Sequence, residues 1–240
     1  MISWHGAFNL RDLGGLPLFD GGVTTPGRVY RSGSPEWMTE RGWGEARDAG
    51  LTTIVDLRNA PSETQRLPHH PVVAPSAVEF VSIVSAPTED PDDDEFMTVC
   101  GPWLDHPRSY GDNLRFYPQK FAAVFEGIAS AEGAVLVQCS GGKDRTGMVI
   151  AMLLSLVGVE VDAIVADYDA AFRTANATMR ANPSLYRHFA ETDDELDEWM
   201  TERTAALRSW LIELDVELYL RNAGVDAVDI DRLRRILVSD

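Results

Sequence analysis

The run Ala134-Val135-Leu136-Val137, bounded by Gly133, is apolar at every position and does not alternate. A strand of that pattern is buried on both faces, so other layers must cover its sheet on either side. A second, longer stretch that is almost wholly apolar runs from Gly147 to Val159 after a short polar connection. It is too short to span a bilayer and reads as a helix inside a protein core. A buried strand leading into a buried helix dictates a layered α/β domain. The connection then leaves the sheet at the carboxyl end of a strand, where open α/β sheets form their ligand crevices.

That connection reads Gln138-Cys139-Ser140-Gly141-Gly142-Lys143-Asp144-Arg145-Thr146. Five residues separate Cys139 from Arg145, enough to curl a loop around a tetrahedral anion. Gly141 and Gly142 let backbone N–H groups turn inward without Cβ clashes. A helix starting near Arg145 adds the positive end of its dipole. Arg145 can fork onto two oxygens of one phosphate, a geometry lysine does not supply. The same positive surroundings favour the thiolate of Cys139, the nucleophilic form. Thr146 is placed to offer a hydroxyl to that sulfur. Nucleophile, anion cradle and charged residues together are the parts of a phosphoryl-transfer site. Most free cysteines are instead small buried hydrophobes, but a core cysteine has no need of a polar, Gly-rich neighbourhood carrying three charges. A sulfur-transferring, rhodanese-like loop also begins with a cysteine at a strand end. The Lys143-Asp144-Arg145-Thr146-Gly147 tail argues against it.

The remaining pattern alternates as a layered domain requires. Arg28 to Arg31, Thr52 to Leu57 and Ala77 to Val84 read as strands. Glu40 to Ala49 reads as a helix ending near Gly50, and Asn113 to Ala129 as a second. Pro87 to Glu95, rich in Pro and Asp, reads as an exposed, solvated loop. From Thr146 the pattern is helical almost to the end, with breaks near Asn182-Pro183 and Gly224. Nothing resembles a linker or an internal repeat. One domain over 1–240 is expected, its helical C-terminal portion at about 160–240.

Composition bounds the partners. The formal charge is −17, from 38 acidic and 21 basic residues, so a broad surface for nucleic acid is not expected. An anionic ligand must be held by a local cluster of donors. Lys120 and Lys143 are the only lysines, and the second lies in the proposed loop. Two cysteines, Cys100 and Cys139, make no disulfide framework, and Cys100 reads as a spare thiol. The first residues lack a basic start and an apolar core, so no signal peptide is expected. A cytoplasmic location follows, with export by a route without a signal peptide left open. No integral membrane segment, metal site or cofactor is expected; the adjacent pair His69-His70 does not have metal-ligand spacing.

The loop resembles that of the bacterial tyrosine-phosphatase-like family, His-Cys-x-x-Gly-Lys-Asp-Arg-Thr-Gly. Phe8-Asn9-Leu10-Arg11-Asp12-Leu13-Gly14-Gly15 and Tyr30-Arg31-Ser32-Gly33 look like its N-terminal motifs. Asp56-Leu57-Arg58 with Glu63 looks like its next motif, and Glu217 to Gly224 with the helix to Leu237 like its end. The resemblance implies a cysteine-phosphatase-like α/β fold, with a mostly parallel central sheet flanked by helices. It implies hydrolysis of phosphate monoesters, through phosphotyrosine or dual-specificity activity on a phosphorylated protein, or on a phosphoinositide, without a metal. Cys139, Asp144 and Arg145 would carry the catalysis. Ser140, Gly141, Gly142, Lys143, Thr146, Gly147, Arg11, Asp56 and Arg58 would bind or support the substrate. Arg11 and Asp12 come in on resemblance alone. Asp56 and Arg58 end a strand whose edge faces the same crevice, so they either support the loop or form a surface ion pair.

Gln138 departs from the family's histidine. An amide carries no charge, so a less acidic Cys139 and a lower turnover are expected than with histidine. A phospho-ligand-binding pseudophosphatase is therefore the competing view. The general acid is open as well. No Trp-Pro-Asp motif of the animal enzymes occurs, although Trp103-Leu104-Asp105 is a loose echo. Asp144 within the loop is the preferred proton donor; pairing with Arg145 or capping a helix is its alternative. Lys143 could neutralise a second anionic group or simply the bound phosphate.

Overall fold

The computed structural model describes residues 3–59, 78–182 and 190–238. Among them, five strands form one sheet: β1 (Arg11–Asp12), β2 (Val29–Ser32), β3 (Leu51–Asp56), β4 (Ser82–Ser85) and β5 (Ala134–Gln138). Their spatial order is β1-β2-β5-β3-β4, with β1 antiparallel to β2 and every other pair parallel. The unalternating run thus forms the central strand, and all five of its residues are buried. Val135 and Val137 point into one cluster with Val29 and Val55, while Ala134 and Leu136 join Tyr30, Ile54, Trp4 and Trp43 on the opposite face. Ala77, the first residue of the third expected strand, lies outside the described residues.

Helix α1 (Glu40–Asp48) covers the second face, with Thr39 accepting the Gly42 N–H at its start and Trp43 and Ala46 buried. The expected solvated loop is shorter than its acidic run suggests. Asp93 accepts the N–H groups of Glu95 and Phe96 and caps α2 (Asp94–Cys100), so Asp94 and Glu95 open a helix. Acidic side chains belong at that end of a helix dipole.

The helix expected over Asn113 to Ala129 is two, α3 (Tyr110–Phe116) and α4 (Pro118–Ala129). The ring of Pro118 drives Tyr117 out of the helical region, to φ −127° and ψ 51°, while proline itself is well placed at a first turn.

The C-terminal half holds α5 (Asp144–Leu156), α6 (Val161–Ala181), α7 (Asp193–Glu213), α8 (Val216–Ala223) and α9 (Ala227–Arg235). Helix α5 packs on α6, α7, α8 and α9 as well as on β2 and β5, which is why its sequence is apolar on nearly every side. The break at Gly224 is a left-handed helix end, and α6 ends at Ala181; Pro183 lies outside the described residues. One further break, at Leu214, comes from Asp215 capping α8. Among the described residues no helix is long and apolar enough to cross a membrane.

Candidate active site

Strand β5 ends at Gln138 and α5 begins at Asp144, so residues 139–143 make a loop at the carboxyl edge of the sheet. Three carbonyls of that loop are tied outward. Ser140 O accepts from the Ser34 N–H at 3.0 Å, Gly141 O from Asn9 Nδ2 at 3.0 Å, and Gly142 O from Arg31 Nη2 at 2.8 Å. In a trans peptide the next N–H points opposite to the carbonyl, so the amides of Gly141, Gly142 and Lys143 are turned inward. One of them is seen doing so: the Gly142 N–H donates to Cys139 Sγ at 3.3 Å. Gly142 has φ +66°, and a Cβ there would sit 2.5 Å from the Ser32 carbonyl carbon and the Gly33 nitrogen. Only glycine fits. Lys143 makes no side-chain cap for α5, which leaves the positive end of that helix facing the same hollow.

The outward ties form a buried frame. Asn9 adopts a left-handed φ of 54°, which asparagine tolerates, and aims its amide at the loop. Arg31 is 1% exposed and bridges Gly142 O to Asp167 of α6, whose carboxylate also accepts from Arg11 Nε at 2.9 Å. Arg11 Nε is thus engaged by Asp167, the carboxylate that also holds Arg31. Asp12 accepts from the Gly14 and Gly27 N–H groups and holds the N-terminal turns. Arg58 is buried, forks onto Asp56, and donates to Glu36 at 2.7 Å and to Ser34 Oγ at 3.0 Å. Asp56 and Arg58 therefore support the segment that braces Ser140; they are not a surface ion pair. Glu63 lies outside the described residues.

Two expectations for the loop change. The Thr146 hydroxyl is wholly buried and finds no hydrogen-bond partner among the described residues, so it does not reach the sulfur. The first turn of α5 carries it into the core, and the sulfur takes a backbone N–H instead. Asp144 neither caps a helix nor pairs with Arg145. Its Oδ1 accepts from Tyr168 at 3.2 Å and from Arg203 of α7 at 3.2 Å, and Tyr110 donates to its backbone carbonyl. Burial pushes its carboxyl up to about 7; Lys143 and Arg203 pull it down and Asp105 adds to the rise. A buried acid that titrates near neutrality can give and take a proton.

Arg145 lies 3.8 Å from Glu89, a buried residue of the acidic segment whose carbonyl also accepts from Lys120. Lys143 Nζ sits 5.1 Å from the centre of the Phe172 ring. Ser140 is exposed at the rim. A Cβ at Gly147 would come within 2.8 Å of the Tyr168 ring, so that glycine admits α6 against α5 rather than contacting a ligand itself. Gln138 is buried with neither amide atom hydrogen-bonded among the described residues. Asp105 is exposed beside a cleft of about 440 Å³ between residues 101–106 and α7, lined in part by Trp103, Trp199 and Arg203. No three His, Cys, Asp or Glu side chains gather as metal ligands among the described residues.

Glu89, Asp167, Tyr168, Tyr110 and Arg203 carry no signal a single sequence reveals. Asn9 and Arg31 do lie inside the quoted N-terminal motifs, yet their spacing does not show that they hold the loop.

The model of the tyrosine phosphatase family matches residues 2–239. The chain is 26% identical to the triple specificity protein phosphatase PtpB of Mycobacterium tuberculosis, over 97% of each protein. It is 32% identical to a Cupriavidus necator protein assigned as a tyrosine-protein phosphatase, over 67% of this chain and 59% of that one. A tyrosine-protein phosphatase of Nostoc commune is 33% identical over 50% of this chain and 40% of its own length. An anion cradle facing a cysteine at the end of a central parallel strand, in a sequence matched over nearly its full length, places this chain in the tyrosine phosphatase family of hydrolases.

Proposed function

We propose that this phosphatase hydrolyses phosphotyrosine in proteins, with room for other phosphate monoesters, through a phosphocysteine at Cys139. The observation that carries the reading is the Gly142 N–H on Cys139 Sγ, in a loop whose other carbonyls are tied outward. The thiolate attacks phosphorus, the S–P bond forms and the bond to the leaving oxygen breaks. Asp144 gives that oxygen its proton. Water then attacks the phosphocysteine, Asp144 takes the water's proton, and the S–P bond breaks to release phosphate. The inward amides and Arg145 hold the equatorial oxygens throughout, where charge is greatest.

The carboxyl of Asp144, raised to about 7 by burial, supports its double role. Asp105 is exposed and lacks that environment. Support for tyrosine comes from the relatives' names; dual specificity is in keeping with the M. tuberculosis relative, named triple specificity. A phosphoinositide is the second reading. It draws on Lys143, half-buried at the loop edge over Phe172, as a cation for a further phosphate.

A panel of phosphotyrosine, phosphoserine and phosphothreonine peptides and short-chain phosphoinositides, at fixed pH, tests the reading. Phosphotyrosine peptides should give the highest kcat/KM, vanadate should inhibit, and Cys139→Ser should be inert. Lys143→Met should lower phosphoinositide turnover more than peptide turnover if the second reading holds. Binding of phosphopeptide by the unaltered protein without turnover would establish the pseudophosphatase instead.

A further inference from the structure

Helix α7 bonds the loop through Arg203. Arg203 is 7% exposed, and its Nη1 donates both to Asp144 Oδ1, at 3.2 Å, and to the backbone carbonyl of Asp105. The guanidinium lies 5.2 Å from the centre of the Phe172 ring and 4.7 Å from that of Trp199. Burying a guanidinium is expensive unless its partners compensate, and an apolar side chain of similar length would fill the same space without that cost. What arginine adds is direction. Its planar fork, packed near two aromatic rings, aims one donor, and that donor is shared between a carboxylate of the phosphate loop and the turn that walls the cleft.

We infer that Arg203 is the positioning residue for Asp144, holding the carboxyl in one orientation and tying it to the turn around Asp105. The inference rests on the reading of Asp144 as proton donor. The titratable groups around this carboxyl are Tyr168 from α6 and Arg203 from α7, which bond it, Tyr110 from α3, which bonds the Asp144 carbonyl, Asp105 from the turn, and neighbouring Lys143. Arg203 is the one that bonds the carboxylate and the turn together. It is also one of two cations that favour the ionised form of Asp144. Removing it therefore disorders the acid and makes it hold its proton to higher pH.

The test compares kcat/KM from pH 5 to 9 for an aryl phosphate with a good leaving group and an alkyl phosphate with a poor one. Wild type, Asp144→Asn, Arg203→Met and Arg203→Lys are measured in parallel. Arg203→Met should lose about 10- to 100-fold on the poor leaving group and no more than about threefold on the good one. The basic limb of its poor-leaving-group profile should move upward. Arg203→Lys should return the limb toward wild type, because the charge is restored, while the poor-leaving-group rate stays reduced. Equal losses on both substrates with an unmoved limb would make Arg203 a general prop and overturn the inference. If Arg203→Met fails to fold, Arg203→Lys decides: selective loss supports positioning, and wild-type rates on both substrates refute it. Should Asp144→Asn itself lose equally on both, the proton-donor reading and this inference fall together. A selective Asp144→Asn beside a non-selective Arg203→Met would sink the inference alone.

Discussion

The protein's two cysteines are both out of solvent, Cys100 at 0% and Cys139 at 3% exposed, yet they sit in opposite kinds of surroundings. Cys100 ends α2 in the core; burial, with Asp112 adding to it, pushes its thiol up to about 11. Cys139 directly follows β5, at the carboxyl ends of the strands, with a backbone N–H on its sulfur and the uncapped start of α5 behind the loop. If Cys139 is the nucleophile proposed above, burial does not separate a packing cysteine from a reacting one. Peptide orientation does, and here it is imposed from outside by Asn9, Arg31 and the Ser34 N–H.

The largest contrast should come from removing each sulfur. Cys139→Ser should abolish turnover, by about 10⁴-fold or more. Cys100→Ala should keep kcat within about twofold and lose about 1 kcal/mol of stability in urea titration, as small core truncations do. If Cys100→Ala were the inactive one, the comparison would be inverted. Next, Arg145→Lys should cost about 10²- to 10³-fold in kcat/KM, since a point charge cannot fork onto two phosphate oxygens.

The pH dependence follows from Asp144. A proton donor at Asp144 must hold its proton, so on the proposed mechanism kcat/KM for a poor leaving group should fall as pH rises through about 7, and Asp144→Asn should remove that limb. Asp105→Asn should keep it. Stability gives an independent check. The folded carboxyl titrates near 7 against an ordinary 3.8, so its contribution is fully present below about pH 4 and is lost as pH rises through 7. Relative to wild type, Asp144→Asn should gain stability between pH 5 and 8 in thermal melts, by a few kcal/mol at most.

The smallest effect concerns Gln138. It is buried with an amide that makes no hydrogen bond among the described residues, so it gives the loop nothing that a histidine could not. Gln138→His should raise kcat about two- to fivefold; an unchanged kcat would remove position 138 from the support of Cys139.

Much of the frame was legible. The unalternating β5, the apolar α5 and the glycines between them place Cys139 at the crevice because burial and turn geometry are local in sequence. The helix break at Tyr117 is hidden in the sequence although Pro118 announces it, because the apolar spacing on either side reads continuously. Within the site, long-range ties defeated the reading. Asp167, Tyr168 and Arg203 stand on faces of α6 and α7 where a charged or phenolic residue looks solvated in sequence. Only the packing of those helices against α5 turns them inward. For the same reason the sequence does not show that Arg11 holds Asp167, or that the Thr146 hydroxyl lies in the core rather than at the sulfur.

Rapid acid quench of the Asp144→Asn protein during turnover of an aryl phosphate, followed by peptide mass mapping, decides whether Cys139 carries phosphate. The phosphoryl group should appear on the peptide containing Cys139 and on no other, and should vanish in Cys139→Ser. Turnover with that cysteine unmodified, or with Cys139→Ser as active as the wild type, would contradict it.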